Sequence, residues 1–190
     1  MMPAHFALSD AAIVLVSIWA GMALWRGGQW LPAIAMASFG FPAAVGVVRL
    51  GGGLQSELGV FHAGTSQLLG LVGAITLAAA CISRKIRWDH KWVTGAIVMI
   101  ACAVFFLAKW LLAPFFIFAL LIAFGATLRD AVQIRSSALV PSGILVLMVN
   151  VLLIRRAPWL SAAAAWHAYH VLIALALAVV AKGLLAEQRR

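Results

Sequence analysis

Residues 162–181 read AAAAWHAYHVLIALALAVVA, a run of twenty residues that contains no Asp, Glu, Lys or Arg. A helix of about 20 apolar residues is long enough to cross the hydrocarbon core of a bilayer. His167 and His170 stand inside this run three positions apart, so they share one face of the helix. An ionisable pair at that depth costs free energy unless it faces the protein interior and has polar partners. The run therefore predicts a membrane helix with a buried polar site.

The composition of the whole chain favours a membrane protein. Hydrophobic residues make up 65% of the 190 residues, charged residues make up 10%, and the mean hydropathy is +1.08. Soluble domains carry about 25% charged residues, so this chain has too few to cover a surface that faces water. The basic residues behind the formal charge of +9 stand at the ends of apolar runs, which is typical of headgroup contacts and not of nucleic-acid binding. We therefore expect an all-α polytopic membrane protein.

Turn residues and charges divide the chain into seven predicted transmembrane helices, which form a single bundle and one domain, residues 1–190. The apolar stretch from Trp92 to Leu128 is too long for one crossing, and Pro114 supplies the break within it. Pro32 and Pro141 fall in predicted first turns, where a missing N–H costs nothing. The predicted helices are 9–25, 31–49, 58–82, 92–112, 114–128, 137–154 and 159–185.

The distribution of Lys and Arg predicts how the chain is oriented in the membrane. Ten of them fall at one set of helix ends: Arg26, Arg84, Lys85, Arg87, Lys91, Arg129, Arg135, Lys182, Arg189 and Arg190. The other set of ends has four: Arg49, Lys109, Arg155 and Arg156. Because the end richer in Lys and Arg stays in the cytoplasm, we expect the N-terminus outside and the C-terminus in the cytoplasm.

Intramembrane polar residues gather in the outer half of the predicted bundle. At about 1.5 Å per residue, His62, His167 and His170 lie roughly 6, 12 and 16 Å below the outer helix ends. They are candidate metal ligands, because catalytic zinc sites commonly combine three protein ligands with a water whose lowered pKa yields a hydroxide. The surrounding polar candidates are Asp10, Arg49, Glu57, Asn150 and Tyr169. The sequence does not identify a catalytic acid or base.

Each of these polar residues also has a structural explanation. A lone intramembrane histidine is commonly a hydrogen-bonded packing residue, and Asn150 is a natural donor between two helices. Arg49 and Glu57 fit the headgroup region. His5 and His90 are predicted loop residues that face solvent. The pair in the last predicted helix is harder to explain by packing, because two imidazoles on one face must share a polar environment.

Two short motifs carry a resemblance to a known family. Phe61-His62-Ala63 and residues 166–172, together with the seven predicted helices, resemble the alkaline ceramidase and progestin/adipoQ-receptor superfamily. The resemblance implies a seven-helix membrane fold, a zinc held by one early histidine and a His-x-x-x-His pair in the last helix, and hydrolysis of lipid amides. It implies that His62 and His170 are zinc ligands.

This sequence departs from that pattern at three positions. Trp166 stands four residues before His170, so His167 takes the place of the second paired ligand at a spacing of three. Leu58 and Gly73 stand where the ceramidase pattern has Ser and Asp. What the resemblance implies about the zinc ligands therefore depends on His62, His167 and His170.

Three functions remain open at this point. The leading hypothesis is a zinc-dependent hydrolase that acts on a lipid amide or ester in the outer half of the membrane. The second is a non-enzymatic membrane subunit or assembly partner of a larger complex. The third is a haem- or pigment-binding bundle, since histidines in membrane helices also serve as axial ligands. The expected partners are membrane lipids, with a lipid substrate or a membrane protein, and no nucleic acid.

Overall fold

The computed structural model describes residues 3–83, 90–133 and 136–188. Within these ranges the chain forms seven α-helices and no strand, which confirms the predicted all-α class. The helices are α1 Ala7–Arg26, α2 Trp30–Gly51, α3 Gly59–Ser83, α4 His90–Leu107, α5 Leu112–Gln133, α6 Leu139–Leu152 and α7 Ala162–Gln188. Short 3-10 turns lie at Ala4–Phe6, Lys109–Leu111 and Ile154–Arg156. Of the basic residues used to predict orientation, Arg84, Lys85, Arg87, Arg135, Arg189 and Arg190 lie outside the described ranges.

Five described helical segments are long and apolar enough to cross a membrane: Ala4–Arg26, Trp30–Gly51, Gly59–Ser83, Lys109–Gln133 and Ala162–Gln188. The apolar parts of α4 and α6 are shorter, at Trp92–Leu107 and Leu139–Leu152. With 14 residues, α6 is about 21 Å long at 1.5 Å per residue, less than the hydrocarbon thickness of about 30 Å. The lengths therefore establish five possible membrane spans.

Helix packing closes six of the described helices into a ring. The neighbours follow the order α1, α2, α3, α5, α6, α7, and α7 returns to pack against α1. The interior is apolar, and its fully buried side chains include Leu24, Met36, Leu77, Leu120 and Leu177. α4 packs chiefly against α3 from outside the ring, through a separate apolar cluster that includes Val72 and Ala101.

Two glycines allow α6 and α7 to approach each other closely. A Cβ at Gly143 would lie 2.7 Å from Val180 Cγ2, and a Cβ at Gly183 would lie 2.6 Å from Val140 Cγ2. Membrane helices pack through van der Waals contact, and small residues at the interface let their backbones come together. This contact fixes α7 against α6 and thereby sets the position of the polar first turns of α7.

The boundary between α4 and α5 differs from the predicted one. α4 ends at Leu107, Ala108 leaves the helical conformation with φ −146° and ψ 57°, and a 3-10 turn follows. Pro114 is the third residue of α5 and not its boundary. The prediction of helices 92–112 and 114–128 is wrong here, because the first N–H groups of a helix have no intrahelical acceptor and a proline fits among them. α5 is correspondingly long and continues to Gln133.

Candidate functional site

One carboxyl group and two imidazoles meet at one end of the ring, from α1, α3 and α7. Asp10 Oδ1 lies 3.2 Å from His170 Nε2. His62 Nε2 and Asp10 Oδ2 both face the backbone of α2 at Gly46, where a Cβ would overlap the carboxylate and lie 3.1 Å from His62 Nε2. The missing side chain of Gly46 therefore leaves the space that these groups occupy. Asp10, His62 and His170 together are called the Asp10 centre below.

The carboxyl group of the Asp10 centre is buried and accepts no hydrogen bond from the described residues. The side chain of Asp10 is 1% exposed and that of His170 is 12% exposed, whereas His62 is half-buried. Neither carboxyl oxygen of Asp10 has a hydrogen-bond partner among the described residues. A buried polar group without a partner costs about 1–3 kcal/mol, and more when it is charged. The centre therefore favours a proton or a cation as an additional component.

The hydrogen bond of the other ring nitrogen explains why His170 does not satisfy Asp10. His170 Nδ1 lies 2.8 Å from the carbonyl oxygen of Trp166, which can only accept. Nδ1 therefore carries the proton, and in the neutral imidazole Nε2 is left as an acceptor. Two acceptors, Nε2 and the carboxylate oxygen, thus face each other across 3.2 Å. Only a proton or a cation makes that contact attractive.

Arg49 adds positive charge beside the Asp10 centre. It lies one helical turn after Gly46 on α2, half-buried, and its Nε has no hydrogen-bond partner among the described residues. Its charge acts on the Asp10 carboxyl group and on the imidazoles of His62 and His170. Arg49 therefore belongs to the electrostatic surroundings of the centre.

His167 contacts a different set of residues. Its Nδ1 lies 3.3 Å from Ser9 Oγ, and the Ser9 hydroxyl donates to the carbonyl oxygen of Phe6 at 3.0 Å. Since the hydroxyl proton is used there, Ser9 accepts from Nδ1–H of His167. The ring of His167 stacks on Phe6 and on His5, with centroid distances of 4.9 and 5.4 Å. Of the three predicted ligands, the structure thus brings His62 and His170 together and places His167 beside Ser9.

Asn150 and Tyr169 connect α6 to α7 next to the centre. Asn150 Nδ2 donates to the carbonyl oxygen of Tyr169 at 2.7 Å, so the expected hydrogen bond between helices is present. The Tyr169 ring stands perpendicular to the His170 ring at a centroid distance of 5.1 Å. The Arg155 guanidinium lies 5.9 Å from the centroid of the Tyr169 ring. These contacts hold the His170 ring in place from the side of α6.

Glu57 lies apart from the Asp10 centre. It is exposed in the loop between α2 and α3. Hydrogen bonds from its own backbone and from the Ser56 side chain lower the pKa of Glu57 below its ordinary value. This carboxylate is therefore satisfied at the surface and does not contribute to the buried site.

The space beside Gly73 is filled by an aromatic ring. Gly73 faces the ring of Phe39, and a Cβ there would lie 2.9 Å from Phe39 Cε2. A carboxylate at position 73 requires Phe39 to move. The carboxyl group beside the two histidines comes from Asp10 on α1.

Sequence reasoning missed two residues near the centre. Gly46 has no property in the sequence that separates it from other glycines, and its role is evident only from the atoms around it. His5 was expected in a solvated loop. It is exposed, yet its ring stacks on His167 because a 3-10 turn at Ala4–Phe6 carries it over the start of α7.

The donor set defines what the Asp10 centre can do chemically. A carboxylate and two imidazoles bind either protons or a divalent cation. No group of three His, Cys, Asp or Glu side chains among the described residues has the arrangement of a complete metal site. The chain matches no known family model, no curated protein and no solved structure.

Proposed function

We propose that the chain is a seven-span membrane protein with the N-terminus outside and the C-terminus in the cytoplasm. Five spans have sufficient length, and α4 and α6 complete the count if the bilayer thins locally around these shorter helices. The excess of Lys and Arg at one set of helix ends supports the orientation. In this arrangement the Asp10 centre lies in the outer half of the membrane.

We further propose that the Asp10 centre binds zinc and hydrolyses a lipid amide or ester. The supporting observation is the contact of 3.2 Å between Asp10 Oδ1 and His170 Nε2. Two ligands that each lie about 2.0–2.1 Å from one zinc in a tetrahedral site are separated by roughly 3.3 Å, so this spacing fits. The acceptor state of Nε2 fits as well, because a metal needs that lone pair.

The chain's own residues have distinct parts in this proposal. Asp10, His62 and His170 do not form a complete metal site as they stand, so their side chains would draw closer together to hold the zinc. The bound metal would supply a hydroxide at neutral pH. The Trp166 carbonyl fixes the tautomer of His170, a contact of the kind that orients metal ligands. Arg49 supplies positive charge beside the centre, and this charge would stabilise negative charge that develops on a substrate carbonyl oxygen.

Elemental analysis of protein purified without chelator tests the metal. We expect about one zinc per chain, in line with a single catalytic site. His170→Ala and His62→Ala should each lower zinc affinity by more than about 100-fold, because changes around metal ligands already cost about 10–100-fold. His167→Ala is the matched control. It removes the same group from the same helix as His170, but its ring contacts Ser9, so zinc should be retained.

Activity on long-chain amides and esters, with and without His170→Ala, then tests the hydrolysis. Folded protein that binds no zinc between about pH 6 and 8 would contradict the proposal, since neutral imidazole is available in that range. In that case a stoichiometric partner in the purified sample would support the subunit hypothesis. A haem absorbance spectrum would support the pigment hypothesis.

A further inference from the structure

A groove on the lipid-facing side of α1 and α2 lies apart from the Asp10 centre. Its volume is about 640 Å³, and along α1 it extends from Val14 to Arg26. At 1.5 Å per residue that is about 18 Å, more than half of the hydrocarbon thickness of about 30 Å. The groove therefore has the length of a membrane-embedded chain and not that of a small polar ligand.

Small residues form the floor of the groove. Ala33, Ala37 and Gly40 line it from α2. A Cβ at Gly40 would lie 2.6 Å from Ser17 Cβ, so α1 and α2 touch there and no side chain of Gly40 fills the space. Larger apolar side chains, among them Phe41, form the walls. The result is an open apolar channel between two helices.

One positive charge stands at the end of the groove. Arg26 lines it at the last residue of α1, is exposed, and has no carboxylate partner among the described residues. Trp25 beside it is 63% exposed, which is typical of an aromatic side chain at the level of the headgroups. An apolar channel that ends in a free guanidinium is complementary to an amphiphile with an anionic head.

We propose that this groove binds one anionic phospholipid, with the phosphate at Arg26 and an acyl chain along the floor formed by Ala37 and Gly40. A second copy of the chain fits less well, because a carboxylate would have to meet Arg26. The chain has five acidic residues, and the side chains of Asp10 and Asp130 are buried. In the orientation proposed above, Arg26 faces the cytoplasmic leaflet, where anionic lipids are concentrated.

The lipid site does not depend on the hydrolase proposal. The groove contains none of Asp10, His62 and His170. A failure of zinc binding leaves the lipid proposal unchanged, and a failure of lipid binding leaves the zinc proposal unchanged.

Native mass spectrometry of the full chain in detergent tests the site, with phosphatidylglycerol and phosphatidylcholine of identical acyl chains as probes. Wild-type protein should retain one phosphatidylglycerol in preference to phosphatidylcholine. Arg26→Gln should reduce that preference about fivefold, because one basic residue near an anionic surface contributes about 1 kcal/mol. Arg129→Gln is the charge control. It removes an exposed guanidinium at the end of α5, away from the groove, and should leave the preference unchanged.

Ala37→Trp tests the channel itself. Ala37 is exposed, so the indole fills the groove without entering the core, and both lipids should bind at least about tenfold more weakly, as expected when buried apolar contacts are lost. Ala37→Leu, a smaller change, should give a smaller loss in the same direction. Ala96→Trp is the matched control, an exposed alanine on α4.

Three results would overturn the lipid site. The first is unchanged lipid binding in Ala37→Trp. The second is an equal loss in Ala96→Trp, which would mean that lipids bind all round the protein. The third is a dimer that Ala37→Trp dissociates while lipid binding is retained, which would assign the groove to a second copy.

Discussion

The two halves of α7 are packed in opposite ways. From Ala174 to Leu184 the buried residues of α7 are all apolar or glycine. α7 packs closely against α6 at two glycines, Gly143 on α6 and Gly183 on α7. Around His167 and His170 the same helix meets α1 through polar atoms. The apolar half stabilises the bundle by close van der Waals contact. The polar half holds groups that need a proton or a cation. Stability and chemistry are therefore carried by separate segments of one helix, and mutations should separate them.

The largest loss of stability is expected where the apolar half of α7 packs most closely against α6. In Gly143→Leu, the new side chain would meet the Ala176 carbonyl oxygen and the Val180 nitrogen, each within about 3 Å, and backbone atoms cannot rotate away. We expect a loss of about 3 kcal/mol in the free energy of unfolding, the upper end of the usual range for overpacking. Unfolding in mixed micelles measures it.

Gly95→Leu is the control for that substitution, because no atom lies within 4 Å of a Cβ at Gly95 on α4. Its free energy of unfolding should stay close to that of the wild type. A Gly143→Leu protein as stable as the control would mean that the contact between α6 and α7 is not close in the membrane.

An intermediate loss of stability is expected at the Asp10 centre, which contacts the polar half of α7. Gly46→Ala inserts a methyl group into the space of the Asp10 carboxylate and should destabilise the fold by about 2 kcal/mol. In an Asp10→Ala background the overlap is gone, so the same substitution should cost about 1 kcal/mol less. A double-mutant cycle of unfolding free energies gives this coupling.

Gly125→Ala on α5 is the matched control, because a Cβ at Gly125 has no described atom within 4 Å. This substitution should show no coupling to Asp10→Ala. Strictly additive losses of unfolding free energy for Gly46→Ala and Asp10→Ala would mean that the Asp10 carboxylate does not lie against Gly46. The contrast between the two halves of α7 would then lose its main support.

The smallest effect is expected at the hydrogen bond that joins α6 to the polar half of α7. Asn150→Leu removes the bond of 2.7 Å to the Tyr169 carbonyl oxygen. Hydrogen bonds between membrane helices contribute about 0.6 kcal/mol on average and at most about 1.7, so the loss in unfolding free energy should fall in that range. Gln67→Leu, on the exposed face of α3, should change it less. A loss beyond about 3 kcal/mol exceeds what one hydrogen bond between membrane helices supplies. Such a loss would show that Asn150 supports the Asp10 centre as well.

Helix content and the meeting of His62 with His170 follow from features that a sequence displays. Apolar runs mark the helices, and alternating helix directions place residues from α3 and α7 at one depth. The junction near Pro114 was misplaced because a proline is compatible both with a break and with a first turn. Sequence reasoning predicted that these polar residues lie near one end of the bundle, but it did not predict which face of each helix carries them.

The partner of His170 and the role of Gly46 were not predictable for a related reason. A helix that is apolar on all sides gives no periodic signal for which face points inward. α1 is such a helix, so Asp10 has no sequence feature that directs it to α7. The partner of Asp10 depends on how each helix is rotated about its own axis. Close contacts such as those at Gly143 and Gly183 determine that rotation.

Closure of the ring between the first helix and the last has a consequence for biosynthesis. Ser9 and His167 lie 158 residues apart in the sequence, and Asp10 and His170 lie 160 residues apart. At about 5–20 residues per second, a ribosome needs roughly 8–30 s to make the intervening chain. During that time α1 holds a carboxyl group with no partner from α7. We therefore expect the start of α1 to stay near the membrane surface until α7 emerges, so that the arrival of α7 and the burial of Asp10 are one event.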